Sequence, residues 1–281
     1  MRSVKSLLAA GAASLMSSVA FAADMPSIAP PPPMAYAPAP AQDFGGWYLR
    51  GDIGMTNTQS KLHVNAYDTL PANTVWTQNG HGFDSGMMYG VGVGYQFNSW
   101  FRADITGEYR SKVSFKGNDF FMFNPGGGLA DTYDGGYKSW VAMVNGYVDL
   151  GTWWCITPFI GAGFGAATIK TTGFSDVATF PAFDGRSSAY FAEGASKTNF
   201  AWAVHAGLAY KVSNNFTVEL AYRYLDMGTG IHGNGRFFDG TNAGPSSFQY
   251  RDMISHDLKL GVRWNLESPQ VYAPAPLMRK G

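Results

Sequence analysis

His81, Asp84 and Ser85 stand close together, and a histidine, a carboxylate and a hydroxyl are the parts of a hydrolytic triad. Such a triad works only when a rigid frame orients the base on the nucleophile. Here the three residues fall on a loop before an alternating segment, which reads as a surface cluster. The run Gly161-Ala162-Gly163-Phe164-Gly165-Ala166 fits the G-x-G-x-x-A pattern of dinucleotide binding. That chemistry needs a helix N-terminus to meet the pyrophosphate, and the continuation Ala167-Thr168-Ile169-Lys170-Thr171-Thr172-Gly173 starts no helix. His63, His81, His205, His232 and His256 lack the spacing of metal ligands, and the lone Cys155 excludes an internal disulfide or a cysteine zinc cluster. Cys155 reads as a small buried strand residue. The sequence therefore predicts no catalytic residue, no cofactor and no metal. What remains is charge that recurs at every second position, and the question is what kind of element carries it.

Composition narrows the answer. The chain has 281 residues, 20 Lys plus Arg against 20 Asp plus Glu, and a net charge of zero. That balance excludes a strongly basic nucleic-acid binder. Charged residues make up 14%, against about 25% in soluble domains. Glycine is abundant at 35 residues, aromatics reach 15%, and the mean hydropathy is −0.12, too polar for a helical membrane bundle. A β-barrel wall in a membrane combines these features, because apolar and polar residues alternate along each strand.

Arg2 and Lys5 followed by the uncharged stretch 7–20 and the small-residue site Ala20-Phe21-Ala22 form a secretory signal, so residues 1–22 are expected to be cleaved on export. Residues 23–45 form a proline-rich periplasmic linker, and residues 267–281 a proline-containing periplasmic tail. Tyr36-Ala37-Pro38-Ala39-Pro40 recurs as Tyr272-Ala273-Pro274-Ala275-Pro276. Between them, 46–266 reads as eight strands: 46–55, 86–97, 100–111, 138–150, 155–169, 199–212, 216–226 and 254–266. The uncharged stretch 151–169 is long enough for a membrane helix, but Pro158 and the period-two glycines Gly161, Gly163 and Gly165 argue for a strand.

The two faces of these strands differ. Trp47, Leu49, Ile53 and Met55 alternate with Tyr48, Arg50 and Asp52; Phe216, Val218, Leu220, Tyr222 and Tyr224 alternate with Thr217, Glu219 and Arg223. The charged face carries Arg50, Arg102, Arg110, Lys211, Arg223, Lys259 and Arg263 against Asp52, Asp104, Glu108, Asp149, Glu219 and Asp257. An eight-stranded barrel is just wide enough for side chains to fill, so these charges are expected to pair inside. Closure makes the seventh, eighth and first strands neighbours, which predicts a lumen network of Arg50, Asp52, Glu219, Arg223, Lys259 and Arg263. Glu219 and Arg223 share one strand about 13 Å apart and are expected to bond across to neighbours. Short connections alternate with long ones, the pattern of periplasmic turns and extracellular loops. Trp47, Tyr95, Trp100, Trp153, Trp154, Tyr210 and Trp264 all gather at the short-turn end as an aromatic girdle. The long loops hold Phe120-Phe121-Met122-Phe123, Phe180, Phe183, Tyr190-Phe191 and Phe237-Phe238, which either pack on one another or touch lipopolysaccharide or another cell surface.

Three stretches carry a resemblance: Gly46-Trp47-Tyr48-Leu49-Arg50-Gly51, Glu219-Leu220-Ala221-Tyr222-Arg223-Tyr224-Leu225-Asp226 and His256-Asp257-Leu258-Lys259-Leu260-Gly261-Val262-Arg263-Trp264. With them the chain resembles the small eight-stranded outer-membrane β-barrel family, which includes the OmpA membrane domain, the opacity adhesins and the major small outer-membrane proteins of alphaproteobacteria. The resemblance implies an all-β, antiparallel up-and-down barrel in the cell outer membrane. It also implies an assembly signal read by the barrel-assembly machinery, matched here by Gly261, Trp264 and Leu266, although the family signal usually ends on an aromatic residue. The His-x-Ser pattern of lipid-modifying barrels is absent, since Asn65, Phe83, Gly207, Asn234 and Leu258 stand two places after the histidines. The expected role is structural and not enzymatic: support of the envelope and display of surface loops, with outer-membrane lipids, lipopolysaccharide and cell-wall or host-surface contacts as partners. A small porin-like channel or a surface adhesin is the alternative.

Overall fold

The computed structural model describes residues 46–64, 73–123, 127–178 and 188–266. The expected signal peptide, linker and tail, and loop residues Phe180 and Phe183, lie outside the described residues. The described chain forms thirteen strands: β1 (Gly46–Val64), β2 (Thr74–Phe83), β3 (Gly86–Gln96), β4 (Phe101–Phe123), β5 (Gly127–Asp149), β6 (Ile156–Thr171), β7 (Phe174–Ala178), β8 (Ala189–Gly194), β9 (Ser196–Lys211), β10 (Phe216–Asp226), β11 (Gly230–Phe237), β12 (Asn242–Pro245) and β13 (Phe248–Asn265). Eight of them close an antiparallel ring in the order β1-β3-β4-β5-β6-β9-β10-β13, and β13 returns to β1. In a bilayer every backbone polar group must be paired, and closure removes the edges that would leave a row unpaired.

The connections at one end are tight. Between β3 and β4 the Asn98 side-chain oxygen accepts hydrogen bonds from the backbone N–H groups of Trp100 (3.0 Å) and Phe101 (2.7 Å). Between β9 and β10 the Ser213 hydroxyl accepts one from the Phe216 N–H (3.1 Å). Between β5 and β6 a bridge joins Trp153 to Ile156, and Trp154 (φ 49°) and Cys155 (φ 66°) both turn through the left-handed region. Cys155 is therefore exposed at a turn tip and not buried in a strand. The reason is that β6 starts one residue later, at Ile156, and the reversal consumes Cys155.

Within the ring the expected facing holds. Leu49, Ile53, Val91, Ile105, Ile160, Leu220 and Leu260 point outward and are exposed, whereas Arg50, Asp52, Glu108, Arg223 and Asp257 point inward and are buried. Many inward positions are glycine because the opposing wall leaves no room. A Cβ on Gly161 would stand 2.5 Å from the Tyr147 ring, and one on Gly261 2.6 Å from an Asp52 carboxylate oxygen.

Four strands continue beyond the membrane ring. β1, β4, β5 and β13 are each 18 to 23 residues long. The upper halves of β4, β5 and β13 pair with β2, β7 and β11, and β8 joins β7 to β11. The result is a second storey, again of eight strands, in the order β1-β13-β11-β8-β7-β5-β4-β2, with β12 hairpinned onto β11. The long loops are thus strands that extend the wall outward. Inside this storey the polarity inverts. Leu62, Val113, Phe115, Tyr137, Phe174, Phe248, Tyr250 and Met253 form one buried apolar cluster above the charged interior.

Leu220 tests the facing. It is exposed on the outer wall, paired with Leu208 on one side and Leu260 on the other. Leu220→Arg is expected to lower the stability of the refolded barrel by about 2–4 kcal/mol, the effect of arginine near the bilayer midplane. The check is a urea titration in vesicles, read by the mobility difference between unboiled and boiled protein. A midpoint equal to wild type would refute the outward placement.

Candidate functional site

The interior of the membrane ring holds six cations, Arg50, Arg102, Arg110, Arg223, Lys259 and Arg263, and six anions, Asp52, Asp104, Glu108, Asp149, Glu219 and Asp257; none is more than 8% exposed. The balance matters because an unpaired buried charge costs several kcal/mol, whereas a well-bonded set compensates itself. Period-two alternation in β1, β4, β5, β10 and β13 delivers all twelve to the same side of the wall.

The set forms two layers. In the layer nearer the short turns, Arg50 makes a bidentate contact with Asp52 (3.0 and 2.9 Å) and donates to Asp104 (2.6 Å) and to the Tyr147 hydroxyl (3.0 Å). Asn145 and the Tyr48 hydroxyl also donate to Asp104, at 2.8 and 3.2 Å. Glu219 lies among three guanidinium groups, Arg102 at 3.3 Å, Arg50 at 3.5 Å and Arg263 at 3.6 Å. Arg102 also donates to Asp149 (3.2 Å) and lies over the rings of Tyr147 (4.2 Å) and Phe159 (4.7 Å). Arg263 lies over the Tyr48 ring at 5.3 Å.

The second layer centres on Arg223. Its guanidinium bonds both oxygens of Glu108 (2.6 and 2.7 Å) and one oxygen of Asp257 (2.9 and 2.7 Å). Arg110 takes Asp257 in a fork (2.9 Å twice), and the Ser255 hydroxyl donates to the same carboxylate at 2.6 Å. Lys259 ties the layers together, reaching Glu108 at 3.2 Å and Asp52 at 3.6 Å.

All six residues expected to form the network lie in it. Within the expected set Glu219 meets Arg50 and Arg263 and Lys259 meets Asp52, whereas Arg223 finds its partners outside it in Glu108 and Asp257. Arg223 on β10 bonds Glu108 on β4, four strands away around the ring, which is straight across the lumen. Reasoning from adjacent strands could not supply that pair. Lys211 departs from expectation: it is exposed, because it is the last residue of β9, at the rim where the wall ends. His205 does point inward, with its ring 5.4 Å from that of Tyr147.

The girdle residues Trp47, Trp100, Trp153, Trp154, Tyr210 and Trp264 are exposed at the short-turn end, with Tyr95 beside Trp47 at 5.3 Å between ring centres. Of the expected assembly signal, Trp264 and Leu266 face outward and Gly261 faces the lumen. His81 lies on β2 with its ring 6.2 Å from Phe115, in the second storey. Among the loop aromatics, Phe121 is buried and Phe191, Phe237 and Phe238 are exposed.

The second storey carries its own acidic cluster. Asp119 on β4 stands directly opposite Asp131 on β5, and Asp176 on β7 opposite Tyr133. Trp76 Nε1 (2.8 Å) and the Tyr133 hydroxyl (3.1 Å) donate to Asp119. Burial and the facing Asp119 push the Asp131 carboxyl up to about 6. Burial, then Asp131 and Asp119, push Asp176 up to about 8.

This closed ring, apolar outside and polar inside, with tight turns at one end and long extensions at the other, defines a bacterial outer-membrane β-barrel. The sequence profile of the outer membrane protein beta-barrel domain matches residues 27–265, and the chain belongs to that family. It is 31% identical over 258 residues to an uncharacterized protein of Brucella abortus (strain 2308), covering 82% of this chain and 88% of the relative. It is 30% identical over 181 residues to the outer membrane protein PagN of Salmonella typhimurium, covering 63% of this chain and 68% of PagN. A candidate adhesin of Rickettsia bellii is 26% identical over 224 residues, 78% of this chain and 88% of its own. Among solved structures, Neisserial surface protein A aligns over 78% of this chain and 96% of its own at 16% identity with a TM-score of 0.43, a likeness too loose to carry an argument.

Arg223→Ala leaves Glu108 and Asp257 short of a cation in the dry interior, and is expected to lower stability by about 3–5 kcal/mol. Adding Glu108→Gln should recover part of that loss, because the surplus negative charge then disappears. Urea titrations of the single and double variants measure both; a shift under about 1 kcal/mol for the single variant would contradict the pairing.

The raised carboxyls make the second storey pH-sensitive. Asp131 and Asp176 titrate near 4 in an opened chain and near 6 and 8 in the folded storey. The folded storey thus holds more protons between pH 4 and 8, and its stability falls as the pH rises through that window. Backbone hydrogen exchange, corrected for intrinsic rate, should show weaker protection of 117–123, 127–134 and 174–178 at pH 8 than at pH 5. Asp176→Asn should remove most of the difference; equal protection of wild type at both pH values would count against it.

Proposed function

We propose that this chain is a non-enzymatic structural barrel that stabilises the outer membrane and presents a rigid, strand-built platform to the outside. The observation that carries the reading is the filled interior. A water-filled path along the axis would wet the guanidinium groups that line it, yet Arg102, Arg110 and Arg223 are at most 1% exposed. The apolar cluster of the second storey then caps the charged layers. A wall of eight strands is just wide enough for such filling, and sugar-passing pores use about sixteen. The proline-rich tails, an export signal at 1–22 and delivery by the barrel-assembly machinery fit the same role, as do partners among outer-membrane lipids and the cell wall, with no nucleic acid involved.

Adhesion is the second reading. It is supported by the similarity to the candidate adhesin of Rickettsia bellii and by the exposed Phe191, Phe237 and Phe238 on the second storey. Large apolar side chains that are exposed on a rigid rim suit contact with a host-surface partner.

Electrical recording separates the structural reading from a porin-like channel. Purified, refolded wild type in planar bilayers is expected to give no large, steady conductance. A large and steady current, unchanged by Arg223→Ala, would reject the filled interior and install the channel reading.

A further inference from the structure

Outside the lumen, the charges on the outer wall are unevenly placed. Lys138 on β5 stands directly opposite Lys170 on β6. On the other side of Lys138, Lys112 projects from β4 at the bulge between Arg110 and Val113. Three lysines thus lie side by side on adjacent strands at one level, all on the outward face. Like charges directly across a strand pair are destabilising, and nothing in the wall offsets them. Among the described residues, no carboxylate lies within 4.0 Å of any of the three. Asp134 stands four residues from Lys138 and faces Lys116, and the Asp84 N–H bonds the Ser114 carbonyl two residues beyond Lys112. On the far side of the barrel the facing cations Lys61 of β1 and Arg251 of β13 have an acidic neighbour, since Asp252 bonds Lys61 at 2.9 Å.

The depth of the lysines follows from the strand. Ten residues separate Leu150, at the short-turn end of β5, from Trp140, and at about 3.3 Å per residue and a tilt of about 40° they rise about 25 Å, the height of the apolar band. Trp140 packs on Tyr109 with ring centres 4.8 Å apart. Lys138 is the next outward residue beyond Trp140, and so stands where the outer headgroups begin. Beneath the two rings the wall is shallow: Gly107, Ala142 and Ala166 are paired across β4, β5 and β6. Small side chains there leave room for hydrocarbon chains against the sheet.

We propose that this outer face of β4–β5–β6 is a docking site for a phosphorylated glycolipid of the outer leaflet, with its phosphates on Lys112, Lys138 and Lys170, its sugar-ester region against Tyr109 and Trp140, and its acyl chains over Gly107, Ala142 and Ala166. The charges select a polyanionic headgroup, and the aromatic pair fixes its depth at the interface. A lipid, and not a free anion, is the occupant, because the lysines continue directly into a lipid-facing wall. The site lies outside the filled lumen and is independent of whether the barrel is structural or adhesive.

The experiment uses the full folded chain in nanodiscs of phosphatidylcholine containing bisphosphorylated lipid A, with lipid retention read by native mass spectrometry. Wild type should keep lipid A in preference to phosphatidylcholine, and should lose that preference for fully dephosphorylated lipid A. Lys112→Gln/Lys138→Gln/Lys170→Gln should reduce retention at least ten-fold, whereas Lys61→Gln/Lys211→Gln/Arg251→Gln, which removes as much charge from β1, β9 and β13, should not. Folding of each variant is checked by the shift between unboiled and boiled samples. If the triple variant does not fold, Lys138→Gln alone should still lower retention, and Lys138→Arg should restore it. Equal retention by wild type and the first folded triple variant, or by wild type and Lys138→Gln, would overturn the proposal. So would equal losses in the two triple variants, or competition of lipid A by millimolar inorganic phosphate as effective as that by lipid A itself.

Discussion

Every charge inside an eight-stranded wall must be answered by another charge on the same wall, because neither bulk water nor lipid can reach it. The mutual neutralisation of Arg223, Glu108 and Asp257 is the sharpest case, with three fully buried charges joined by contacts of 2.6 to 2.9 Å. Much else follows from this demand. Opposite sides of the wall must come close enough for a guanidinium to span the lumen, which limits the strand number. Where large polar side chains fill the centre, their neighbours must be small. That is why Gly94 faces the Tyr48 ring and Gly261 faces Asp52.

The same wall then solves a different problem above the membrane. Within the bilayer the outward face is apolar and the inward face charged. Above it, Tyr137, Phe115 and Tyr250 point inward while Lys138, Lys116 and Arg251 point outward. Alternation continues and its sense reverses, since solvent has replaced lipid outside. The apolar interior of the upper storey supplies burial that the charged layers cannot, and the two halves stabilise the wall by different means.

That reversal also explains what could be read from residue order alone. The strand at 216–226 was legible from end to end, because it lies within one environment. The sequence alternation predicts strand ends at 55, 111, 138 and 254, yet β1, β4, β5 and β13 reach Val64, Phe123, Gly127 and Phe248. At each point the polarity of the alternation flips, and in β4 a bulge between Arg110 and Val113 shifts the phase as well. β2, β7, β8 and β11 carry no strand signal in the sequence, because their pairing is non-local and β2 and β8 are largely exposed. For the interior network, which residues face inward was legible and who bonds whom was not. Neighbouring strands suggested the seven–eight–one cluster, but Arg223 and Arg102 reach carboxylates on strands half a circumference away. Cys155 sits in a turn that the sequence does not announce, because a reversal through two left-handed residues that are not glycine leaves no mark in composition.

The second storey has a consequence for how this surface changes over time. Eleven residues of β5 lie beyond Lys138, and at about 3.3 Å per residue and a tilt of about 40° they carry its rim roughly 28 Å from the headgroups. The outward positions of β2 and of the β11–β12 hairpin hang on this frame without helping to hold it. Selection by antibodies or phage can therefore rewrite the visible residues one at a time while the inward set stays fixed. Contour and chemistry of the outer face are inherited separately, and a new epitope can arise on an old shape.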